Sequence, residues 1–398
     1  MGVDPRGAGA SRRRLLVLGA GPAQLGLLRA ARTRGLSVVV CDRDAGALGL
    51  RLADRHALVS VEDEAGVEEV ARSEAVDGLI APGTDFPVLV AARVAARLGL
   101  AHPLPPEVAA AAVSKALQRE AFARAGVPQP AWRAVTAAED DVTLPAVVKP
   151  PDRQGQVAVS LVRAREELAP AVEAAVAASR NGSALVEELV EGPEVTVNAF
   201  SREGDFRVLT VTDRITAPPP AFGVALRHVW PSAVSVDEAV EAARAAAAAL
   251  GIREGPTYTQ LRVGEDGPRV IELAARLGGG HDAELCEAAL GIDLNALALA
   301  AALGRRAKVP VGRPAGGACV LFLVAPPGRL RRVAGVDEAL RLPGVLDALP
   351  YRPPGWRFGP LRAGADRAGF VLARGDSRAQ ALARGEAAAE RVRFHVDA

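Results

Sequence analysis

Residues 270–282 read VIELAARLGGGHD: an apolar run, a carboxylate at Glu272, a guanidinium at Arg276, three glycines and a histidine. A packing core has no use for that mixture, whereas a bound polyanion with a metal does. A guanidinium grips a carboxylate or phosphate through two parallel hydrogen bonds. Backbone without side chains, as at Gly278 and Gly279, lets an oxyanion approach N–H groups. The runs TYTQLRV (257–263) and RVIELA (269–274) predict a hairpin with GEDGP as its loop. With Asp266 at the centre, Val263 faces Arg269 and Gln260 faces Glu272. Directly opposed residues share a face, their Cβ atoms about 4.5–5.5 Å apart. Two oxygen-bearing side chains so placed can hold one Mg²⁺, a hard cation that takes oxygen at roughly 2.1 Å. The plainer alternatives are a polar pair on a wet face and a glycine hinge before the helix DAELCEAALG, with Asp282 as its N-cap.

Two lysines extend the set. Lys149 lies in the strand AVVKP, on an otherwise apolar run; a lysine buried in a strand needs an anion, and phosphate fits. Lys115, in VSKALQREAF, is by itself an ordinary surface lysine. His228 and His281 are isolated in sequence and stand as candidate substrate groups, with plain surface exposure as the alternative. The turn GAGPAQLG (19–26) has Gly19 and Gly21 of a dinucleotide fingerprint, and Asp42 follows Gly21 by 21 residues, but Gln24 takes the third glycine position. A tight turn that binds no dinucleotide explains it better.

These residues must be positioned by elements that the sequence outlines. RLLVLGAG, LSVVVCDRD and LIAPG read as buried strands. They alternate with helices over PAQLGLLRAARTRG, VEEVARSEAVDG and FPVLVAARVAARLG. That pattern predicts a parallel sheet covered on both faces, ending near HPLPPE (102–107). Beyond it come a helix with Lys115 and Phe122, the strand AVVKP, a helix closed by Asn181-Gly182, strands ALVEELVEG and EVTVNAF, and FRVLTVT paired back across SREGD. An alanine-rich helix over 237–250 leads to the 257–274 hairpin. After residue 310 the chain reads α+β: GACVLFLVA, a short helix near VDEALRL, AGFVLAR and a closing helix.

Composition agrees with a globular protein of two or three domains. The 398 residues are 49% hydrophobic and 24% charged, with net charge +1. The charge balance gives no footprint for nucleic acid or an anionic membrane, and no apolar run reaches the ~18 residues of a membrane span. Cys41, Cys286 and Cys319 are far apart and read as reduced core thiols. The apolar stretch after SRRR is too short for a signal core and runs into the glycine turn, so a cytoplasmic protein is expected.

Taken together, LGAGPAQLGLLRAARTRGLSVVVCDRD, SKALQREAFARAGVPQP, LPAVVKP, LVEELVEGPEVTVNAF and GPTYTQLRVGEDGPRVIELAARLGGG occur in order over nearly the whole chain. In this the chain resembles the ATP-grasp superfamily, in particular ligases related to L-amino-acid ligases and to the carbamoyl-phosphate and glycinamide ribonucleotide synthetases. The resemblance implies a mixed α/β and α+β fold. It divides into a Rossmann-like pre-ATP-grasp domain (13–107) after a disordered tail (1–12), a two-lobed ATP-grasp domain (108–309, lysine and hinge lobe about 127–190) and a small lid-like α+β domain (310–398).

It also implies roles. Lys115 and Lys149 would neutralise ATP phosphates under a loop around Gln154, Gly155 and Gln156. Glu187, with backbone near Glu188 and Leu189, would hold adenine, and Glu194 would lie near the ribose. Gln260 and Glu272 would carry Mg²⁺ or Mn²⁺. Arg276 with Gly278 and Gly279 would hold the acceptor carboxylate and the acyl phosphate. Relatives usually carry Glu at position 260 and Asn at 274; here Gln260 and Ala274 thin one metal site. The implied activity is ADP-forming ligation of a small carboxylate to an amine, in a homodimer. A bicarbonate-dependent carboxylase, a non-catalytic nucleotide-binding module and a nicotinamide-dependent oxidoreductase are the rivals. Substrate selectivity is expected in the loops 217–231 and 81–86.

Overall fold

The computed structural model describes residues 12–139 and 141–397. The tail expected over 1–12 lies outside the described residues except for Arg12. The first unit is the expected parallel sheet, in the order Arg55–Ala57, Ser37–Cys41, Arg14–Leu18, Gly78–Ile80. Its edge strand Arg55–Ala57 is short, polar and largely exposed, so no apolar run announced it. Val17, Leu27, Leu28 and Val40 pack with Leu294, Leu297 and Ala298 of the helix Leu294–Ala302. A helix from the middle of the chain is thus part of the first unit's core. Burial of each such leucine contributes about 1.5–3 kcal/mol.

The middle of the chain builds two sheets facing a cleft. A four-stranded antiparallel sheet, in the order Trp132–Val135, Ala184–Glu188, Ala146–Lys149, Ser160–Val162, is backed by the helix Arg165–Ala178. Opposite it lies an eight-stranded antiparallel sheet. Its order is Gly267–Ala274, Gly255–Gly264, Glu194–Arg202, Asp205–Thr216, Ala225–Trp230, Gly317–Leu323, Gly369–Gly375, Val345–Pro350. This sheet runs on across residue 310, because Gly317–Leu323 pairs with Ala225–Trp230. The small sheet Arg357–Phe358, Gly328–Ala334, Arg393–Asp397 completes the C-terminal part.

Two expectations are corrected. The stretch 217–231 is not wholly a loop, since Ala225–Trp230 is a strand inside the large sheet. The hairpin turn is the two residues Glu265 and Asp266, so Val263 faces Pro268 and Arg262 faces Arg269. Gln260 nevertheless faces Glu272, because a bulge at Ile271 adds one residue to the second strand and restores the register. Arg119 holds that bulge, donating to Val270 O at 3.1 Å and to Ile271 O at 2.6 Å.

Candidate active site

The register of the large sheet aligns polar residues in rows across the face that looks into the cleft. One row runs Glu272, Gln260, Thr196, Thr212. The next holds Arg262, Glu194, Arg214 and His228. The cleft between this face and the four-stranded sheet encloses about 750 Å³, open solvent at its mouth included, and is lined by Lys115, Lys149, Gln154–Gln156, Glu187–Val190, Glu194, Gln260 and Glu272. Ligand pockets of small-molecule enzymes are of this size. Every nucleotide and metal residue expected from the sequence therefore meets in one place. Arg276 and the two histidines lie beyond it.

The ion pairs show how the cleft is charged. Lys149 is 4% exposed and Glu187 3% exposed, 2.7 Å apart, and the fully buried Arg119 donates to the other Glu187 oxygen at 2.9 Å. The anion that Lys149 requires is thus a carboxylate of the protein. Burial pushes the Lys149 pKa down, and Arg119 and Lys115 add to this against the pull of Glu187. The Lys115 ammonium lies 3.1 Å from Glu272 and donates to Arg153 O at 2.7 Å. Burial works against both of these charges. Lys115 and Lys149 nonetheless hold Glu272 down to about 2, and Glu272, Asp85 and Glu187 keep the Lys115 pKa raised. Glu194 is shared by Arg214 at 2.6 Å and Arg262 at 3.4 Å. In these contacts five cations face three carboxylates, an excess that an anionic ligand would take up.

Glu188 turns its carboxylate to the chain beside it, where it accepts from Ala131 N at 3.1 Å. The loop after Lys149 lies over the cleft. The Gln154 side-chain oxygen accepts from Asp85 N, and Gly155 O accepts from Gly364 N at 3.1 Å.

Gln260 and Glu272 suit one hard cation. Gln260 Nε2 donates to Tyr258 Oη at 3.3 Å, which turns the amide oxygen to the free side, and Glu272 is ionised. Among the described residues no three His, Cys, Asp or Glu side chains gather into a metal site, so phosphate and water would supply most of the shell. Ala274, opposite Tyr258, offers no ligand.

Around the glycines the structure adds packing reasons. A Cβ on Gly278 would run into the Asp282 carboxylate, and one on Gly279 would meet Gly83 O at 2.9 Å. Arg276 is paired with Asp85 at 2.6 Å and lies over the Tyr258 ring. Asp282 is not the N-cap; His281 holds that place with φ 60°, and Asp282 accepts from Gly280 N at 3.1 Å. Neither histidine is exposed. His228 Nδ1 lies 2.9 Å from Asp282, and His281 Nε2 lies 2.6 Å from Tyr351 Oη with its ring stacked on Phe370.

In the GAGPAQLG turn the Gln24 side chain packs on Gly19 and donates to Pro82 O at 2.6 Å, and Asp42 accepts from Ala20 N at 2.7 Å. The groups a dinucleotide would use serve the turn itself. Sequence reasoning missed Arg119 and Arg214, and it named Asp85 only as part of the loop 81–86, without its pairing to Arg276. Arg119 was findable, since it falls one turn after Lys115 and three residues before the buried Phe122. The Asp85 pairing was not, because its partner is 191 residues away.

Comparison with known proteins follows the same lines. A family model described as an ATP-grasp domain matches residues 142–284, and one described as L-amino acid ligase C-terminal domain 2 matches residues 321–397. Protein y4rH of Sinorhizobium fredii is 31% identical over 291 residues, 69% of this chain and 59% of that protein, so the chain spans under two thirds of its length. The phosphoribosylamine–glycine ligase of Leifsonia xyli subsp. xyli is 31% identical over 309 residues, covering 71% of this chain and 72% of that enzyme. The crystal structure of an L-amino acid ligase from Bacillus licheniformis shares the fold, with a TM-score of 0.83 at 22% identity over 97% of this chain and 99% of that one. Identity at the level of the phosphoribosylamine–glycine ligase, over that share of its length, together with the ATP-grasp match across the cleft, means that this chain belongs to the ATP-grasp ligases.

Proposed function

We propose that the protein is an ATP-dependent carboxylate–amine ligase. The supporting observation is the opposed Gln260–Glu272 pair at the edge of a cleft whose cations outnumber its carboxylates. A carboxylate oxygen attacks the γ-phosphorus of ATP, the bond to the β-phosphate oxygen breaks, and ADP leaves with an acyl phosphate formed. An amine then attacks the acyl carbon, phosphate leaves, and the amine proton passes to the solvent or a nearby base. Catalysis of this kind is mostly positioning and charge neutralisation. Lys115 and Lys149 take phosphate charge, the loop over Gln154–Gln156 excludes water, and the backbone at Glu188 and Leu189 meets the adenine edge beside buried Glu187. Glu194 lies toward the ribose. Gln260 and Glu272 would hold Mg²⁺ or Mn²⁺, which supplies Lewis acidity toward phosphate oxygen. Arg276, Gly278 and Gly279 face the acyl-phosphate end. Three buried free thiols suit a reducing, ATP-containing cytoplasm.

The test is ADP release from ATP with pooled carboxylic acids, amino acids and amines, beside a bicarbonate arm. Amine-dependent ADP and phosphate production supports the ligase; dependence on bicarbonate alone assigns a carboxylase instead. Glu272→Gln should lower turnover about a hundredfold or more, and unchanged turnover would remove the metal role of Glu272.

A further inference from the structure

The loop after Lys149 lies over the cleft in a backbone shape that side chains resist. Gln156 and Ala158 have φ of 68° and 52°, in the left-handed region. Residues other than glycine stay there only where their surroundings hold them. Two of the holding contacts come from outside the four-stranded lobe that carries the loop. The Gln154 side chain accepts from Asp85 N on the first unit. Gly155 O accepts from Gly364 N at 3.1 Å, on the strap between the strands Arg357–Phe358 and Gly369–Gly375.

A third contact to the outside lies at the root of the loop. Arg180 follows the helix Arg165–Ala178. Its Nη2 donates at 2.6 Å to Glu62, 118 residues away in the turn before the first unit's helix Glu64–Ser73. Its guanidinium carbon lies 4.1 Å from the centre of the Phe86 ring, next in sequence to Asp85. Nη1 donates to Asp152 O at 2.6 Å, and Arg180 N donates to the Asp152 carboxylate at 2.9 Å. Ser179 Oγ donates to the same carboxylate at 3.2 Å, and Arg153 Nε donates to Ala178 O. Residues 152–153 and 178–180 thus form one knot, and Arg180 ties the knot to the first unit. The knot reaches the cleft in a single step: Arg153 O accepts from Lys115 Nζ, which lies 3.1 Å from Glu272. An ion pair whose side chains are 24% and 49% exposed stabilises little alone. A planar guanidinium, however, serves a carboxylate, a carbonyl and a ring face at once and so fixes a direction, which an ammonium cannot do.

We propose that Arg180 is a positioning residue for the nucleotide site: it docks the four-stranded lobe on the corner of the first unit made by Glu62 and Phe86, and so sets Asp152 and Arg153 where Lys115 is held. The proposal rests on the cleft being the nucleotide site and is independent of which substrates are joined. Nucleotide affinity then depends on two side chains of the first unit that line no part of the cleft. The docked lobe is the binding-competent state, and whatever lowers its population weakens apparent affinity by the same factor.

The test compares the full-length wild type with Arg180→Ala, Arg180→Lys, Glu62→Gln and the double variant Arg180→Ala/Glu62→Gln. Amide hydrogen exchange is read first, without nucleotide. Exchange at 151–156 should quicken about threefold to tenfold in Arg180→Ala, the loss expected for one part-exposed ion pair and one cation–π contact. Calorimetric titration with MgADP should show Kd raised by a similar factor. Glu62→Gln should give a smaller effect of the same kind, and Arg180→Lys should recover part of the loss. The double variant should be no weaker than Arg180→Ala alone, because Glu62 acts through Arg180. Unchanged exchange at 151–156 in Arg180→Ala, or losses that simply add in the double variant, overturn the proposal. A lower melting temperature with unchanged exchange and Kd assigns Arg180 a purely structural role and overturns it as well. Should Arg180→Ala fail to fold, Glu62→Gln decides: faster exchange at 151–156 supports the docking and an unchanged rate overturns it. A wild type that binds no MgADP would remove the nucleotide reading of the cleft, and the exchange comparison would still decide whether Arg180 docks the lobe.

Discussion

Glu187 and Glu272 are single carboxylates that each hold cations in a buried place, and their ionisation is linked to stability. Glu187 lies between Arg119 and Lys149, so Glu187→Gln leaves two buried cations short of an anion. A loss of about 3–5 kcal/mol is expected, measured as a lower denaturant midpoint at pH 7. The pKa of Glu272 is held down to about 2 in the folded protein. A depressed carboxylate contributes stability that is present above the unfolded value near 4.5 and is lost as pH falls toward 2. Denaturant titrations from pH 6 to 3 should therefore show a steeper fall for the wild type than for Glu272→Gln. Glu284 has the opposite sign. Burial raises its pKa to about 7, so its contribution is present below about 4.5 and lost as pH rises through 7. Glu284→Gln should gain up to about 3 kcal/mol on the wild type at pH 8 and nothing comparable at pH 5; equal differences at both pH values would remove this assignment.

At the scale of elements, the hairpin decides whether the site exists. Gly267 closes its turn with φ +93°, and the Ile271 bulge brings Glu272 opposite Gln260. Gly267→Ala strains that turn and should cost about 1–3 kcal/mol, read as a lower midpoint, together with weaker nucleotide binding in calorimetry. Weaker stability with unchanged ATP affinity would show that the turn does not set the register of the metal pair. Gly279→Ala is a second probe, since its Cβ would press on Gly83 O at 2.9 Å and force apart the glycine segment and the first unit. It should destabilise by about 1–3 kcal/mol.

For the whole molecule the large sheet is the organising body. Its strand Ala225–Trp230, which carries His228, is covered on one edge by Gly317–Leu323 from beyond residue 310. Cutting the chain after residue 309 would leave that edge unpaired and the surrounding core open, so the shortened protein should aggregate or lose its cooperative melting transition. A fragment that melts cooperatively near the wild-type temperature would show instead that the C-terminal part is an independent lid. The loop over Gln154–Gln156 contacts the first unit at Asp85 and the C-terminal strap at Gly364. Hydrogen exchange at 151–159 and 361–367 should slow together when MgADP binds.

The sequence by itself determined the local grammar. Continuous apolar strands between amphipathic helices specified the first sheet, and turn residues with alternating side chains specified the 194–216 and 257–274 hairpins. The motif order placed Lys115, Lys149, Glu187, Gln260 and Glu272 in one site. These are properties of neighbours along the chain, set by side-chain period and turn chemistry. Tertiary structure alone decided what each charge touches. The Arg276–Asp85 pair spans 191 residues, the bulge at Ile271 is held by Arg119 from a distant helix, and His228 finds Asp282 only once its strand joins the sheet. Electrostatic partners are fixed by distance in space and by burial. A one-dimensional pattern records the type of each charge and leaves open which other charge it will meet.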